Sequence, residues 1–306
     1  TLSSSSAASD VYKRQPLDQL SMVCANFGNA PALPEVLSDW FSFLGGKPNE
    51  VVVVDGGSDA ATVATCCALF HERKIDKLHL LQATHRENDK ERCFIQEYEA
   101  AIAGKNPYLL FFKFDTLPFR DGHDEWLAEA IARLEEPDVF AVSGALNRTY
   151  EWKARNDGWY ETRNCTINFC LMKRTSFVAA MEEIAADYLR SGFIGTHRLE
   201  RFLLERAFIE YQAQHGLKTL CRVEDPSFTV FHTNAYGADL LAVRARFRRR
   251  ENLDDYLNPC MSDDLTRFAY YDRPIQRADL LTRARIAFGE SPAGKHWRDL
   301  KKTVAG

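Results

Sequence analysis

The sequence predicts an α/β fold: a mostly parallel central sheet flanked by helices, with a helical C-terminal tail. Three observations carry this. From Leu20 onward short apolar runs alternate with amphipathic stretches, the pattern of successive βα units. Val51 to Val54 are four consecutive valines, as in a strand covered on both faces. The early apolar runs stop at Asn/Gly/Asp clusters, and in an open parallel sheet those carboxyl ends are where ligands bind. The 306 residues are 45% hydrophobic, 27% charged and 12% aromatic, which suits a globule with a sizeable core and excludes long disorder or a fibrous chain. Lys and Arg number 39 against 43 Asp and Glu, a formal charge of -4. No global field therefore draws the chain onto nucleic acid, and any polyanion site has to be local. No apolar stretch reaches the roughly 18 to 20 residues needed to span a bilayer, so no transmembrane anchor is expected within this sequence, while contact with a membrane surface stays open.

The elements follow in order. Leu20 to Ala25 is a strand running into Asn26-Phe27-Gly28-Asn29. Pro34 to Leu44 is a helix with Val36, Leu37, Trp40, Phe41 and Leu44 on one face, ended by Gly45-Gly46-Lys47-Pro48. Glu50 to Asp55 is the second strand and stops at Gly56-Gly57-Ser58-Asp59, with a helix from Ala60 to Arg73 behind it. Lys77 to Gln82 is a strand, Glu91 to Ile102 a helix, and Tyr108 to Phe112 a strand leading to Lys113-Phe114-Asp115. A helix at Asp124 to Leu134 and a strand at Val139 to Val142 continue the alternation. Asn147 to Asn164 lacks periodicity and reads as loops. Thr166 to Met172 is a strand and Ser176 to Tyr188 a helix. Thr196 to Gln214 is a long helix with Thr196 as N-cap and Gly216 as stop. Lys218 to Val223 is the last sheet strand, and two helices at Ala238 to Arg250 and Ile275 to Phe288 form the tail.

Residues 1 to 15 are Ser/Ala-rich with no apolar h-region, so they are no secretory signal. Asp10 to Gln15 resembles a translated sequencing adapter. The expected organisation is a non-native tail at 1–15, one domain at 16–235 and a packed helical extension at 236–306. The eight cysteines are scattered, with no CxxC and no zinc spacing. Cys66 and Cys67, in an Ala/Val/Thr stretch, read as buried packing residues of a reducing cytoplasm. A catalytic thiol is the alternative.

Three polar clusters lie at strand ends: Asn26-Phe27-Gly28, Asp55-Gly56-Gly57-Ser58 and Lys113-Phe114-Asp115. An Asp closing a buried strand can accept from a base N–H or a ribose hydroxyl, glycines admit a ligand to the backbone, and Phe27 offers a stacking face. A helix cap and a glycine turn would explain the same residues without a ligand.

Leu20 to Asn29, the Val51-Val52-Val53-Val54-Asp55-Gly56-Gly57-Ser58-Asp59 block and Gly104 to Asp115 together resemble family 2 glycosyltransferases of the GT-A fold, over roughly Leu20 to Asn234. The resemblance implies a nucleotide-sugar donor, with Asn26, Phe27, Asp55 and Gly57 around the nucleoside. It also implies an Asp-x-Asp motif holding ribose and a Mg2+ or Mn2+ ion on the diphosphate. Asp115 matches the last Asp of that motif, and Lys113 stands where the first belongs. A hard cation wants carboxylate oxygens, so Lys113 either sets its ammonium against a phosphate or marks a chain that has lost metal dependence. His232 falls where the family's metal-binding histidine can lie. A structural hydrogen bond is its other reading.

Inverting transfer needs a general base for the acceptor hydroxyl. Glu200, then Glu205, occupy the region of the family's acidic motif, while salt bridges to Arg201 and Arg206 would explain both without chemistry. The run Arg244 to Arg250 reads as a solvated helix face or as a site for phosphates and lipid head groups. Trp152, Trp159 and Tyr160 read as loop packing or as a sugar-stacking wall. The implied function is sugar transfer to a glycan, lipid-linked or other hydroxyl acceptor, in a cytoplasmic or membrane-peripheral protein of bacterial or viral surface-glycan synthesis. The alternative is a degenerate protein that binds nucleotide or glycan without transfer. No GxGxxG follows the first strand, which disfavours a dehydrogenase.

Overall fold

The computed structural model describes residues 16–82, 89–118, 125–144, 153–190, 204–222, 230–233, 235–253, 267–268, 271–272, 274, 276–277 and 279–294. Nine strands form its central sheet: β1 (Leu20–Asn26), β2 (Glu50–Asp55), β3 (Lys77–Leu80), β4 (Tyr108–Phe112), β6 (Val139–Gly144), β7 (Lys153–Ala154), β8 (Tyr160–Thr162), β9 (Phe169–Lys173) and β10 (Lys218–Arg222). Their order across the sheet is β3-β2-β1-β4-β9-β6-β10-β8-β7. Strands β3, β2, β1 and β4 are mutually parallel, and β9 runs antiparallel between β4 and β6. Because β9 reverses direction on both sides, β6 and β10 point the same way as the first four. The expected α/β architecture with a mostly parallel sheet is therefore the one observed.

The helices are α1 (Leu33–Leu44), α2 (Ala60–His71), α3 (Asp89–Ala103), α4 (Trp126–Leu134), α5 (Arg174–Ile184), α6 (Ala186–Arg190), α7 (Leu204–His215), α8 (Gly237–Arg248) and α9 (Leu280–Glu290). Local chemistry sets their ends. Gly45, in the left-handed region at φ 79°, lets the chain turn back so that Gly46 N donates to Phe41 O, a glycine-dependent helix stop. Asp59 caps α2 by accepting from Thr62 N at 2.8 Å. None of the described helices is long and apolar enough to cross a membrane.

Strand alternation divides the core into two layers. On one face Val51, Val53, Leu110 and Phe112 pack with α1 and α4. There Trp40 stacks on Phe169 at 5.2 Å, and Trp126 lies 4.9 Å from the same ring. On the other face Val52, Val54, Leu109 and Phe111 pack with Phe177 of α5 and Phe208 of α7. Leu240 and Val243 of α8 belong to the first layer, so α8 shares the core of the sheet.

Several described segments depart from the sequence expectation. The Asn147 to Asn164 segment contains β7 and β8, which extend the sheet antiparallel beyond β10. At two and three residues they are too short to display a period. Thr116–Pro118 (β5) and Val230–His232 (β11) form a separate antiparallel pair, visible only as a contact across more than a hundred residues. The Ser176 to Tyr188 helix breaks at Ala185 into α5 and α6. Of the long helix expected from Thr196, the described part is Leu204–His215, and Thr196 lies outside the described residues.

Candidate functional site

Strands β2, β1 and β4 are parallel neighbours, so the three polar clusters emerge side by side on one edge of the sheet. The register sets Asn26 directly opposite Asp55. Both are fully buried, and buried polar groups need partners. Asn26 Nδ2 donates to Asp55 Oδ2 at 2.7 Å, while Ser58 Oγ donates to the same oxygen at 2.6 Å. Asp55 Oδ1 accepts from Gly57 N and Ser58 N at 3.0 and 2.8 Å. The carboxylate thus has no surface to offer a base, and its task in this structure is to shape the loop after β2. Ser58 Oγ also accepts from Gly28 N at 2.9 Å, which ties the loops after β1 and β2 together. Gly28 and Gly57 both have positive φ, 66° and 86°, a region that suits glycine. Asn26 Oδ1 is buried with no hydrogen-bond partner.

Phe27, at the tip of the first loop, is 46% exposed, as a stacking face requires. Beneath it, α3 contributes a residue that the sequence reading passed over. Gln96 is buried and donates from Nε2 to Asn26 O at 2.7 Å. It crosses directly over Gly56, where a Cβ would come within 1.8 Å of that nitrogen. Nearby, burial and then the Asp55 charge push the Cys66 thiol up to about 12. It stays protonated, the reverse of what a nucleophilic thiol needs, and the packing reading of Cys66 holds.

Lys113 is directed onto Glu97 of α3 at 2.6 Å, with its ammonium 5.2 Å from the Phe94 ring centre. The one clue in sequence to Gln96 and Glu97 is their spacing of four from Ala100 and Ala101, small residues that suit close approach to the sheet. Asp115 is 7% exposed, in a turn between β4 and β5, with Tyr236 Oη 3.5 Å from its Oδ2. Strand β11 sets His232 opposite Thr116, and Thr233 N donates to Asp115 O at 2.8 Å. The two segments expected to share a cation are thus neighbours, though Asp115 and His232 are 117 positions apart in the sequence. Tyr236, 65% exposed beside them, lies in a stretch without periodicity and gave no signal in sequence.

Among the described residues no three His, Cys, Asp or Glu side chains gather to hold a metal. Asp115 supplies one carboxylate. One or two carboxylates, diphosphate oxygens and water are how Mg2+ commonly meets a nucleotide. The described residues fit a cation that arrives with a diphosphate, Asp115 supplying the protein's carboxylate.

Glu200 lies outside the described residues. Glu205, half-buried on α7, accepts from Ile167 N at 3.0 Å and so anchors the approach to β9. Trp152 also lies outside the described residues. Trp159 and Tyr160 are buried, Trp159 with Arg133 and Arg222 about its ring at 5.3 and 5.8 Å, so these two are packing residues. The arginine run is occupied as well. Arg248 pairs with Glu35 and Asp39, Arg246 with Asp272, and Arg249 with Glu251. Arg244 is 1% exposed, four residues after the buried Leu240 on the face that packs inward. Through Asp39 and Glu35, Arg244 and Arg248 fasten α8 to α1.

No family model matches the chain, and no curated protein matches it. Among solved structures it is similar to a mannosyltransferase from Pyrobaculum calidifontis in complex with GDP-Man and Mn2+, at 16% identity and a TM-score of 0.47, over 81% of this chain and 71% of that one. It is also similar to a mannose-1-phosphate geranyltransferase from Thermus thermophilus, at 12% identity and a TM-score of 0.40, over 69% and 75% of the two chains. A third is GalNAc-T7 with UDP, GalNAc and Mn2+, at 12% identity and a TM-score of 0.45, where the match covers 70% of this chain and 43% of the other. Likeness of this degree says nothing about substrate or activity.

Proposed function

We propose that the chain transfers a sugar from a nucleoside diphosphate to an acceptor hydroxyl, with inversion, in the manner of the family 2 glycosyltransferases its strand-end motifs resemble. The observation that carries this reading is the convergence of three loops, 26–28, 55–58 and 113–115, at the carboxyl edge of adjacent parallel strands, where such sheets bind nucleotides. Phe27 stacks on the base. Asn26 and Asp55 act from below by holding the Gly57 and Gly28 backbones in place for the nucleoside. Asp115 meets the diphosphate, His232 is the second residue that would hold a cation, and a Mg2+ or Mn2+ ion bound there would offset the charge that develops on the leaving group.

The acceptor oxygen bonds to the anomeric carbon while the bond from that carbon to the phosphate oxygen breaks, and the nucleoside diphosphate departs with the electron pair. Glu200 takes the acceptor proton as general base. Glu205, committed to the Ile167 amide, is left an anchoring role.

Thermal unfolding with UDP, GDP, CDP and dTDP, each with and without Mn2+, tests the donor site, since ligand that binds only the folded state raises the midpoint. Stabilisation by one nucleotide, followed by hydrolysis of its sugar conjugate or transfer to a hydroxyl acceptor, is expected. No response to any of the four overturns the reading.

One observation favours a second reading, in which nucleotide or glycan binds without transfer. Lys113 occupies the place of a metal-binding Asp and its ammonium is engaged by a buried carboxylate. Nucleotide binding with neither donor hydrolysis nor transfer would select that reading.

A further inference from the structure

The turn that presents Asp115 has all four of its carbonyl oxygens bonded. Lys113 O accepts from Thr116 N and Oγ1 at 3.2 and 2.5 Å. Asp115 O accepts from Thr233 N and Oγ1 at 2.8 and 3.0 Å. The remaining two, Phe114 O and Thr116 O, both accept from one nitrogen, Arg244 Nη1 of α8, at 3.2 and 3.0 Å. That guanidinium is itself held from α1, where Asp39 Oδ2 lies 2.8 Å from its Nε and 2.6 Å from its Nη2. A single side chain therefore straddles Asp115, gripping the peptide groups on either side of it, and is oriented by a carboxylate more than two hundred residues away in sequence.

We infer that Arg244 is a positioning residue: its fork fixes the Asp115 turn so that the carboxylate stands where a cation–diphosphate group can meet it. The inference rests on the proposed role of Asp115. A planar guanidinium has donors enough, in fixed directions, to serve Asp39 and two carbonyls at once. A lysine ammonium at the end of a flexible stem can satisfy the charge on Asp39 but cannot keep that geometry. Partners one step removed from a metal-facing carboxylate typically change cation affinity by about 10- to 100-fold when altered. Arg248 offers the matched control, because it pairs with the same Asp39 and with Glu35 and bonds to none of the turn carbonyls.

The experiment compares wild type, Arg244→Lys, Arg248→Gln and Asp115→Asn. Titration calorimetry with UDP, GDP, CDP and dTDP, with and without Mn2+, is run beside thermal unfolding and hydrogen exchange of the 113–118 segment. Arg244→Lys is expected to weaken the Mn2+-dependent part of nucleotide binding about tenfold or more, to leave Mn2+-free binding unchanged and to speed exchange in the turn. Arg248→Gln should lower the unfolding midpoint without touching the Mn2+ dependence. If Asp115→Asn removes the Mn2+ dependence and Arg244→Lys does not weaken it, this inference alone is overturned. The same follows if Arg248→Gln weakens it as much as Arg244→Lys does. Mn2+ dependence that is absent from wild type, or survives Asp115→Asn, overturns the role of Asp115 and this inference with it. Should Arg244→Lys not fold, Thr233→Val removes a donor to the same turn: weaker Mn2+-dependent binding supports the anchoring, and unchanged binding overturns it.

Discussion

The Lys113 ammonium lies 2.6 Å from the Glu97 carboxylate, and the Glu97 side chain is only 2% exposed. A carboxylate so deep in the protein is tolerated because a cation stands against it. Lys113, which stands where the resemblance would place the first Asp of an Asp-x-Asp motif, therefore has a definite counter-charge on α3, and changing it has a cost.

Lys113→Asp is expected to destabilise the fold by about 2 to 4 kcal/mol, toward the lower side of the range for breaking a buried pair because Lys113 keeps some solvent contact. It removes the ammonium and sets a like charge in its place. Lys113→Asp combined with Glu97→Gln should recover most of the loss in urea denaturation. Equal stability of wild type and the single variant would show that the pair contributes nothing.

Gly56→Ala places a methyl group on the Gln96 amide. With Gln96 buried and bonded to Asn26 O, the side chain has little room to yield, and a loss of about 1 to 3 kcal/mol follows from overpacking. In a Gln96→Ala background the same glycine substitution should cost less. A double-mutant cycle with no coupling between positions 56 and 96 would contradict the close approach.

Phe27→Ala removes a ring that is nearly half exposed, so the unfolding midpoint should barely move. Nucleotide affinity should fall on the order of tenfold if the ring stacks on a base. Unchanged affinity for the nucleotide that stabilises wild type would remove Phe27 from the site.

Glu50 sits at the opposite, amino-terminal edge of the sheet. Its Oε2 accepts from Ser21 Oγ at 2.6 Å and Lys105 N at 2.7 Å, and its Oε1 is 2.5 Å from the Lys77 ammonium. Burial pushes its pKa up, yet the bonds from Lys77, Ser21 and Lys105 outweigh this and hold it below the ordinary 4.5. A carboxyl whose pKa is lowered by folding contributes stability that is present above the ordinary value and is lost as pH falls through the folded one. Wild type should therefore weaken as pH drops below about 4.5, and Glu50→Gln should show a shallower decline there. Identical acid profiles for the two proteins would refute the assignment.

Much of the frame was legible in the sequence. The Val51–Val54 run and the Tyr108–Phe112 run became parallel strands on either side of β1, because a continuous apolar run has few other ways to lose water from both faces. The loops that stop those strands were legible for the same reason, since glycines and short polar residues end a strand by local geometry alone. Two short pairings were not, β5 with β11 and β7 with β8, because two or three residues carry no period and the partners of β5 and β11 meet only after the chain has closed on itself.

By itself the sequence determined where the longer strands of the central sheet lie and that residues 26–28, 55–58 and 113–115 each follow the carboxyl end of one. Only the tertiary structure decided what the charged groups at those ends do. It turned Lys113 onto Glu97, buried Asp55 under its own loop, brought the His232 strand alongside Asp115, and made Arg244, one arginine in a basic run, the side chain that grips the Asp115 turn. The physical reason is that backbone periodicity is a local property written in consecutive residues. The environment of an ionisable group is set instead by whichever distant atoms the packing places within a few ångströms of it, and no local pattern records them.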